Sequence, residues 1–124
     1  MFKVVLLAKK RPDISAEAFR DYYSGHHVHL MNRLLEHGAA VHRRNFVQHP
    51  DPGHPGDYDV ISEVFYEDRA TAEATMREMA DPEVHRQRIE DEARFLLPES
   101  VRVFMVEIDT TIFRPLESMT GASL

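Results

Sequence analysis

Residues 39–66 contain two strand-like segments in direct succession, and this arrangement decides the fold. The first reads Ala-Ala-Val-His-Arg-Arg-Asn-Phe-Val-Gln (residues 39–48), and the second reads Tyr-Asp-Val-Ile-Ser-Glu-Val-Phe-Tyr (residues 58–66). Residues 49–56 between them include three prolines and two glycines, which favour a loop. The sequence therefore predicts two consecutive strands with no helix between them.

A strand and a helix are predicted on the N-terminal side of this pair. Residues 2–9 are apolar and β-branched, which is typical of a strand. Ser15 is a favourable N-cap, and Glu17 lies in the first turn, where the helix dipole favours an acidic residue. Apolar residues then recur at the helical spacing of three and four, and Gly38 supplies a stop after His37.

Two shorter helices and a last strand are predicted on the C-terminal side. Asp68 can cap a helix that runs to about Ala80, and Pro82 begins another that continues to about Phe95. Residues 100–108 form the last strand. The β-α-β-β-α-β order predicts an α+β, ferredoxin-like sandwich, in which helices cover one face of a four-stranded antiparallel sheet. The uncovered face predicts that two sheets pack together in a homodimer, as a dimeric α/β barrel.

The composition limits the classes of function. A chain of 124 residues supports one domain, which we expect at residues 1–109, followed by a C-terminal tail or dimer arm at residues 110–124. The net charge of -6 argues against binding to nucleic acid or to an anionic membrane. The absence of cysteine excludes disulfides and thiol chemistry. No apolar run reaches the roughly 20 residues of a membrane span, and no signal-peptide pattern is present, so we expect a cytoplasmic protein.

Histidines are the most informative candidates for chemistry. His26 and His27 fall within the apolar arc of the first predicted helix, and His29 lies at its edge. A histidine titrates near neutrality and is suited to general acid–base catalysis. The alternative is that one of the pair is a hydrogen-bonded core residue and the other a surface residue. Because no HExxH-type spacing is present, we predict no metal site.

Further candidates lie on the strands and helices around these histidines. Glu63 could orient a histidine or act as a base, or it could pair with a cation at a dimer interface. Arg44 would bind a carboxylate or phenolate in a pocket, the alternative being an ordinary surface charge. Tyr23 is either a core aromatic residue or a proton donor, and His85 lies either at the mouth of a pocket or on the surface. We predict that Tyr23, His29, Arg44 and His85 bind substrate.

Three stretches of the chain carry a resemblance to a known family. They are Lys3 to Lys10 with the Pro12, Ser15, Glu17, Phe19 and Tyr23 that follow; His26-His27-Val28-His29-Leu30; and Asp91-Glu92-Ala93-Arg94-Phe95-Leu96 leading into Val101-Arg102-Val103-Phe104 and Glu107. These stretches resemble the EthD-like family of the dimeric α/β barrel superfamily, and the third is the most specific. The chain departs from the family pattern where His26 replaces an arginine, His29 a proline and Leu97 an aspartate.

The resemblance implies a homodimer with a pocket between each sheet and its helices. It also implies activity on small molecules, because members include cofactor-free enzymes of aromatic polyketide metabolism. Related folds include lactone isomerases, anthrone-type oxygenases and haem enzymes, and the fold alone does not select among them. His27 retains a histidine of the family, and Glu63 matches a glutamate that is common in it.

We therefore predict an enzyme that uses no cofactor and acts on an aromatic or polyketide-type small molecule. The reaction would be a cyclisation, dehydration, decarboxylation or isomerisation, with His27 as the general acid–base. His26 or Tyr23 would assist, and Glu63 or Arg44 would have an orienting role. The alternatives are a cofactor-free anthrone-type monooxygenase, a non-catalytic dimeric accessory or binding protein of a catabolic pathway, and a haem protein.

Overall fold

The elements of the fold follow the predicted order. The computed structural model describes residues 1–49 and 58–116. They contain β1 (Phe2–Ala8), α1 (Ala16–Tyr22), a π-helical turn (Tyr23–His27), α2 (Val28–Leu34), β2 (Val41–Phe46), β3 (Val60–Tyr66), α3 (Arg69–Met79), α4 (Pro82–Glu92), a 3-10 turn (Pro98–Ser100) and β4 (Arg102–Val106). In these residues no helix has both the length and the apolar character needed to cross a membrane. Nearly all of the predicted loop after β2, and residues 117–124 of the predicted tail, lie outside the described residues.

The four strands form one antiparallel sheet in the order β2-β3-β1-β4. At its centre β1 pairs with β3, so that Val5 lies opposite Glu63. On one side β4 pairs with β1, with Phe104 opposite Val5. On the other side β2 pairs with β3, with Arg43 opposite Glu63. The predicted four-stranded antiparallel sheet is therefore confirmed, and the two consecutive strands of residues 39–66 are neighbours in it.

The helices begin where a side chain can cap them. Ser15 accepts a hydrogen bond from a first-turn N–H of α1 at 3.0 Å, and Asp68 accepts one from the N–H of Thr71 in α3 at 2.8 Å. Asp81 caps α4, whose first residue is Pro82. Each cap satisfies an N–H group that has no partner inside its own helix. The predicted starts at these positions are confirmed.

The first helical region differs from the continuous helix that the spacing predicts. It is divided by the π-helical turn, and it ends at Leu34 rather than at His37. The backbone becomes extended at Leu35, where ψ is 129°. The Glu78 carboxylate accepts hydrogen bonds from the backbone N–H groups of Glu36 and His37 at 2.8 Å each. The predicted end was wrong because Glu78 of α3 accepts the hydrogen bonds that these N–H groups would have donated to carbonyls of α2 in a longer helix.

The core lies between the sheet and the helices. Alternate strand residues pack beneath α1 in one cluster and beneath α3 in a second. The buried members are Ala8, Phe19, Tyr23, Val60, Phe95 and Leu96 in the first cluster and Val4, Tyr66 and Ala72 in the second. Because side chains alternate along a strand, the intervening residues point to the other face of the sheet.

The other face of the sheet has no helix over it in the described part of the chain, and we call it the open face. It is formed by the odd-numbered residues of β1, β2 and β3 and the even-numbered residues of β4. Ile61 and Phe104 are 39% and 48% exposed there. Between them, the Glu63 carboxylate pairs with Lys3 at 3.1 Å and with Arg43 at 3.0 Å. The open face thus combines exposed apolar residues with one well-matched ionic cluster.

Candidate active site

A cavity of about 500 Å³ lies on the helix-covered side of the sheet. Val4, Leu6 and Val64 form part of its apolar wall, together with Met31 and Leu35 from the α2 side. Polar side chains also line it, among them Tyr23, His27, His42, Arg44, Arg88 and Glu92. A largely apolar chamber with a few convergent polar groups is the usual form of a small-molecule site.

The π-helical turn positions two of these polar side chains. Its backbone coils more widely than an α-helix, so that the N–H of Val28 donates to the carbonyl of Tyr23, five residues earlier. Tyr23 and His27 are the buried residues of the turn, and their ring centres lie 5.8 Å apart. Turns of this kind occur frequently at functional sites. Here the turn presents both rings to the cavity.

Asp91, at the end of α4, holds the imidazole of His27. His27 Nδ1 lies 2.7 Å from Asp91 Oδ2, and the Tyr22 hydroxyl donates to Asp91 Oδ1 at 2.5 Å. His26 Nε2 lies 3.2 Å from the same Oδ1. Burial would raise the pKa of Asp91, but the hydrogen bonds from Tyr22 and His27 outweigh it and keep this pKa below its ordinary value. The carboxylate is therefore ionised at neutral pH.

An ionised Asp91 determines which nitrogen of His27 carries the proton. A carboxylate can only accept a hydrogen bond, so Nδ1 must be the donor. In the neutral ring this leaves the lone pair on Nε2, which has no hydrogen bond to any residue in the described part of the chain. Because His27 lines the cavity, Nε2 is the ring atom available to take a proton from a bound molecule.

Tyr23 joins the two sides of the cavity. Its hydroxyl lies 2.8 Å from Ser62 Oγ and 3.4 Å from His42 Nε2. Burial raises the pKa of Tyr23 to about 12. Burial, with Arg44 and His27 nearby, lowers the pKa of His42 to about 4. At neutral pH Tyr23 is thus a protonated hydroxyl and His42 an uncharged imidazole.

Two arginines reach the cavity from opposite elements. Arg44, on β2, donates from Nε to Ser24 Oγ at 3.0 Å and from an Nη to the His42 carbonyl at 3.0 Å. Arg88, on α4, pairs with Glu92 at 3.1 Å, and its buried Nε has no hydrogen-bond partner. The charge of Arg88 is therefore matched by a carboxylate, whereas Arg44 donates only to neutral oxygens.

The structure brings together some of the predicted site residues and separates others. Tyr23, His27 and Arg44 line the cavity, and exposed His29 lies at its edge. The side chain of His26 is 49% exposed and reaches the site only through Asp91. Exposed His85 lies outside the cavity, 3.2 Å from an Nη of Arg88. Glu63 is on the open face, so the sheet separates its carboxylate from His27.

Asp91 is the residue of the candidate site that sequence reasoning missed. It lies 64 positions after His27, and no short-range spacing connects the two residues. One signal was available: Asp91 begins the stretch with the most specific resemblance to the EthD-like family. The burial of Asp91 and of neighbouring Glu92 at the end of α4 separates these carboxylates from the exposed acidic residues earlier in that helix.

A second group of possible ligand atoms lies on the outer surface. Atoms of Glu36, His37 and Glu78 all come within 4.8 Å of one another, the spacing of a possible metal site. The Glu78 carboxylate, however, already accepts hydrogen bonds from two backbone N–H groups and from His37 Nδ1. In the structure this group ends the first helical region, and it is not part of the cavity.

Comparison with known proteins identifies a family and a fold. The model of the EthD domain matches residues 11–99. The solved structure of the protein At3g17210 from Arabidopsis thaliana is 21% identical with a TM-score of 0.60, covering 91% of this chain and 100% of that one. An ethyl tert-butyl ether D (EthD) family protein from Bacillus halodurans C-125 is 16% identical with a TM-score of 0.58, covering 88% and 100%.

A third structure has the same fold. A dimeric ferredoxin-like protein from an uncultured marine organism is 19% identical with a TM-score of 0.51, covering 88% of this chain and 97% of that one. No curated protein sequence gives a significant match. The predicted ferredoxin-like fold and the predicted family resemblance are confirmed by these comparisons.

Proposed function

This chain belongs to the EthD family, and we propose that it is a cofactor-independent enzyme that moves a proton on an aromatic or polyketide-type small molecule. The observation that carries the proposal is the pairing of His27 with Asp91 at the wall of the cavity. A histidine held by a carboxylate on one nitrogen and facing a ligand site with the other is an established arrangement for a general base.

The proposed chemistry needs a base and a hydrogen-bond donor. His27 Nε2 would remove a proton from a carbon next to a carbonyl, and the carbonyl oxygen would gain negative charge. The Tyr23 hydroxyl would donate a hydrogen bond to that oxygen, which stabilises the enolate. Cyclisation, dehydration, decarboxylation and isomerisation can all proceed through such an enolate, so one site could support any of them.

The cavity suits a largely apolar small molecule. Its volume of about 500 Å³ lies within the roughly 300–1,000 Å³ of small-molecule sites. Its wall is supplied by aliphatic side chains such as Val4 and Leu6. A low-polarity surrounding strengthens the hydrogen bond to a developing enolate, because water does not compete for it.

We also propose that the protein is a homodimer that associates through the open face. Ile61 and Phe104 expose 39% and 48% of their surface there, and burial of such a patch favours association. A fold relative is described as dimeric. Ile61→Glu and Phe104→Glu should each place a charge in this interface, and sedimentation velocity should report a monomer. A dimer of unchanged stability in both variants would contradict the proposed interface.

Exchange of carbon-bound hydrogen tests the proposed proton transfer without knowledge of the natural substrate. The probe is 2-tetralone, an enolisable bicyclic aromatic ketone, incubated with the protein in D₂O and followed by NMR. We expect the protein to accelerate exchange at the carbons next to the carbonyl, and His27→Ala to slow this reaction by about 100-fold or more.

The control for this experiment is His37→Ala, which removes an exposed histidine from the outer surface. This variant also replaces a histidine with alanine, and it should leave the exchange rate unchanged. Exchange by His27→Ala at the rate of the unaltered protein would overturn the assignment of His27, provided that circular dichroism reports a folded variant.

A further inference from the structure

We infer that the molecule bound in the cavity carries a carboxylate, and that Arg44 binds it. The inference rests on the proposed function in placing the ligand in the same cavity as His27, and it narrows the substrate class to aromatic carboxylic acids. The observations behind it are the contacts of Arg44, the charges of its neighbours and the positions of Arg44 and His27 beside the Tyr23 ring.

The contrast between Arg44 and its neighbour Arg43 is the first observation. The two arginines are consecutive on β2 and point to opposite faces of the sheet. On the open face, Arg43 donates to both oxygens of Glu63, at 3.0 and 3.2 Å. On the cavity side, Arg44 donates only to the Ser24 hydroxyl and the His42 carbonyl. One guanidinium has its counterion and the other does not.

The remaining charges of the cavity do not neutralise Arg44. Glu92 is the acidic side chain among the residues described as lining the cavity, and it is paired with Arg88. His42 is uncharged at neutral pH because burial, Arg44 and His27 lower its pKa. Asp91 is engaged by Tyr22 and His27 behind the wall. Among the charged side chains that line the cavity in the described residues, Arg44 is therefore the one without an ion-pair partner.

A half-buried guanidinium in this position favours an anion with two oxygens. Removing a charge from water is costly unless an opposite charge compensates for it. Arg44 uses Nε and one Nη for its two hydrogen bonds, and its other Nη has no hydrogen bond to a residue in the described ranges. A planar guanidinium matches the two oxygens of a carboxylate.

The position of Arg44 allows a single ligand to contact both Arg44 and His27. Its guanidinium carbon lies 5.9 Å from the centre of the Tyr23 ring, and the His27 ring centre lies 5.8 Å from the same point. Tyr23 thus lies next to both groups. A ligand with a carboxylate at Arg44 could extend along Tyr23 and place an enolisable carbon near His27 Nε2.

The test compares a carboxylate with its neutral isostere. Isothermal titration calorimetry at pH 7 would measure binding of 2-naphthoate and of 2-naphthamide, which have the same ring system and nearly the same shape. We expect 2-naphthoate to bind at least tenfold more tightly. Arg44→Gln should weaken 2-naphthoate at least tenfold and leave 2-naphthamide unchanged. Arg44→Lys should restore part of the difference, because it keeps the charge without the planar fork.

Arg43→Gln is the matched control, because it removes the neighbouring arginine from the open face. It should leave the preference for 2-naphthoate unchanged. Equal affinity for the two naphthalene probes in the unaltered protein, or binding of neither, would overturn the inference. A naphthoate preference that survives in Arg44→Gln would also overturn it.

The binding result is independent of the exchange result. A preference for 2-naphthoate that depends on Arg44, in a protein that accelerates exchange of neither 2-tetralone nor 2-tetralone-6-carboxylate, would support the carboxylate site and contradict the proposed acid–base function. Exchange that depends on His27, without a preference for the carboxylate, would support the proposed function and contradict this inference.

Discussion

The polar side chains on the two faces of the sheet differ in how completely they are hydrogen-bonded. On the open face, Glu63 accepts hydrogen bonds from Lys3, Arg43 and Asn45, so that each of its oxygens has a partner. On the cavity side, His27 and Arg44 each keep a nitrogen with no partner among the described residues. Both faces contain strand residues with charged or titratable side chains, and sequence alone does not distinguish them.

This difference separates a structural cluster from the proposed functional one. A carboxylate surrounded by donors has its charge compensated, and such a cluster contributes to stability. Groups that face a cavity with unused donors or lone pairs are available to a ligand. The number of unmet hydrogen bonds is therefore a better guide to function here than the type of residue.

The strongest test of the comparison exchanges Asp91 for asparagine. In Asp91→Asn the amide can donate to His27 Nδ1, which would move the ring proton to Nε2 and remove the base from the cavity. We expect exchange of 2-tetralone to slow by about 100-fold, with the fold retained by circular dichroism. An exchange rate within about twofold of the unaltered protein would show that Asp91 does not set the state of His27.

Glu63→Gln should lower stability and leave the exchange rate unchanged, which is the opposite of the pattern expected for Asp91→Asn. Its side chain is 16% exposed and pairs with two cations, so removing the charge leaves Lys3 and Arg43 without a counterion. We expect the free energy of unfolding to fall by about 2 kcal/mol, measured by urea denaturation. The exchange rate should not change. A slower rate in this variant would mean that the open face contributes to the reaction.

The pH dependence of stability sharpens the same comparison. Hydrogen bonding by Arg43 is the main cause that lowers the pKa of Glu63 from 4.5 to about 2. Because the folded pKa lies below the unfolded value, this stabilisation is present above about pH 4.5 and is lost as the pH falls toward 2. Urea denaturation across this range should find the gap between the unaltered protein and Glu63→Gln closing in acid. A difference in unfolding free energy that stays constant across this pH range would contradict an ionic origin of the stabilisation by Glu63.

Tyr23→Phe should change the exchange rate less than Asp91→Asn and stability less than Glu63→Gln. It removes the hydroxyl near Ser62 and His42 but keeps the ring in the core. We expect exchange to slow by about tenfold through loss of the donor, and stability to fall by about 1 kcal/mol. NMR exchange and urea denaturation would measure the two effects. An unchanged exchange rate would exclude Tyr23 as the donor to the enolate.

The fold could be predicted largely from local sequence. Ser15 and Asp68 are capping residues whose effect is confined to one helical turn, and the predicted helix starts are confirmed for this reason. The end at His37 was wrong because it depends on Glu78, which lies 41 positions away. Errors therefore occur where a distant side chain replaces the local partner.

The candidate site could be predicted only in part. His27 was found because an imidazole on the apolar face of a helix is unusual, and Arg44 because an arginine in a pocket suggests an anion. Asp91 was missed because its relation to His27 exists only after α4 packs against the π-helical turn. Glu63 was placed in the site because the alternation of a strand reveals which residues share a face but not which face the helices cover.

The π-helical turn makes the site sensitive to the length of the chain as well as to the identity of Tyr23 and His27. A Cβ atom at Gly25, within the turn, would have no atom within 4 Å, so a larger residue is sterically free there. Deleting one residue instead would return the turn to α-helical geometry and rotate His27 by about 100° relative to α1. Relatives that perform the same chemistry should therefore tolerate substitutions at the position of Gly25 but not insertions or deletions in this turn.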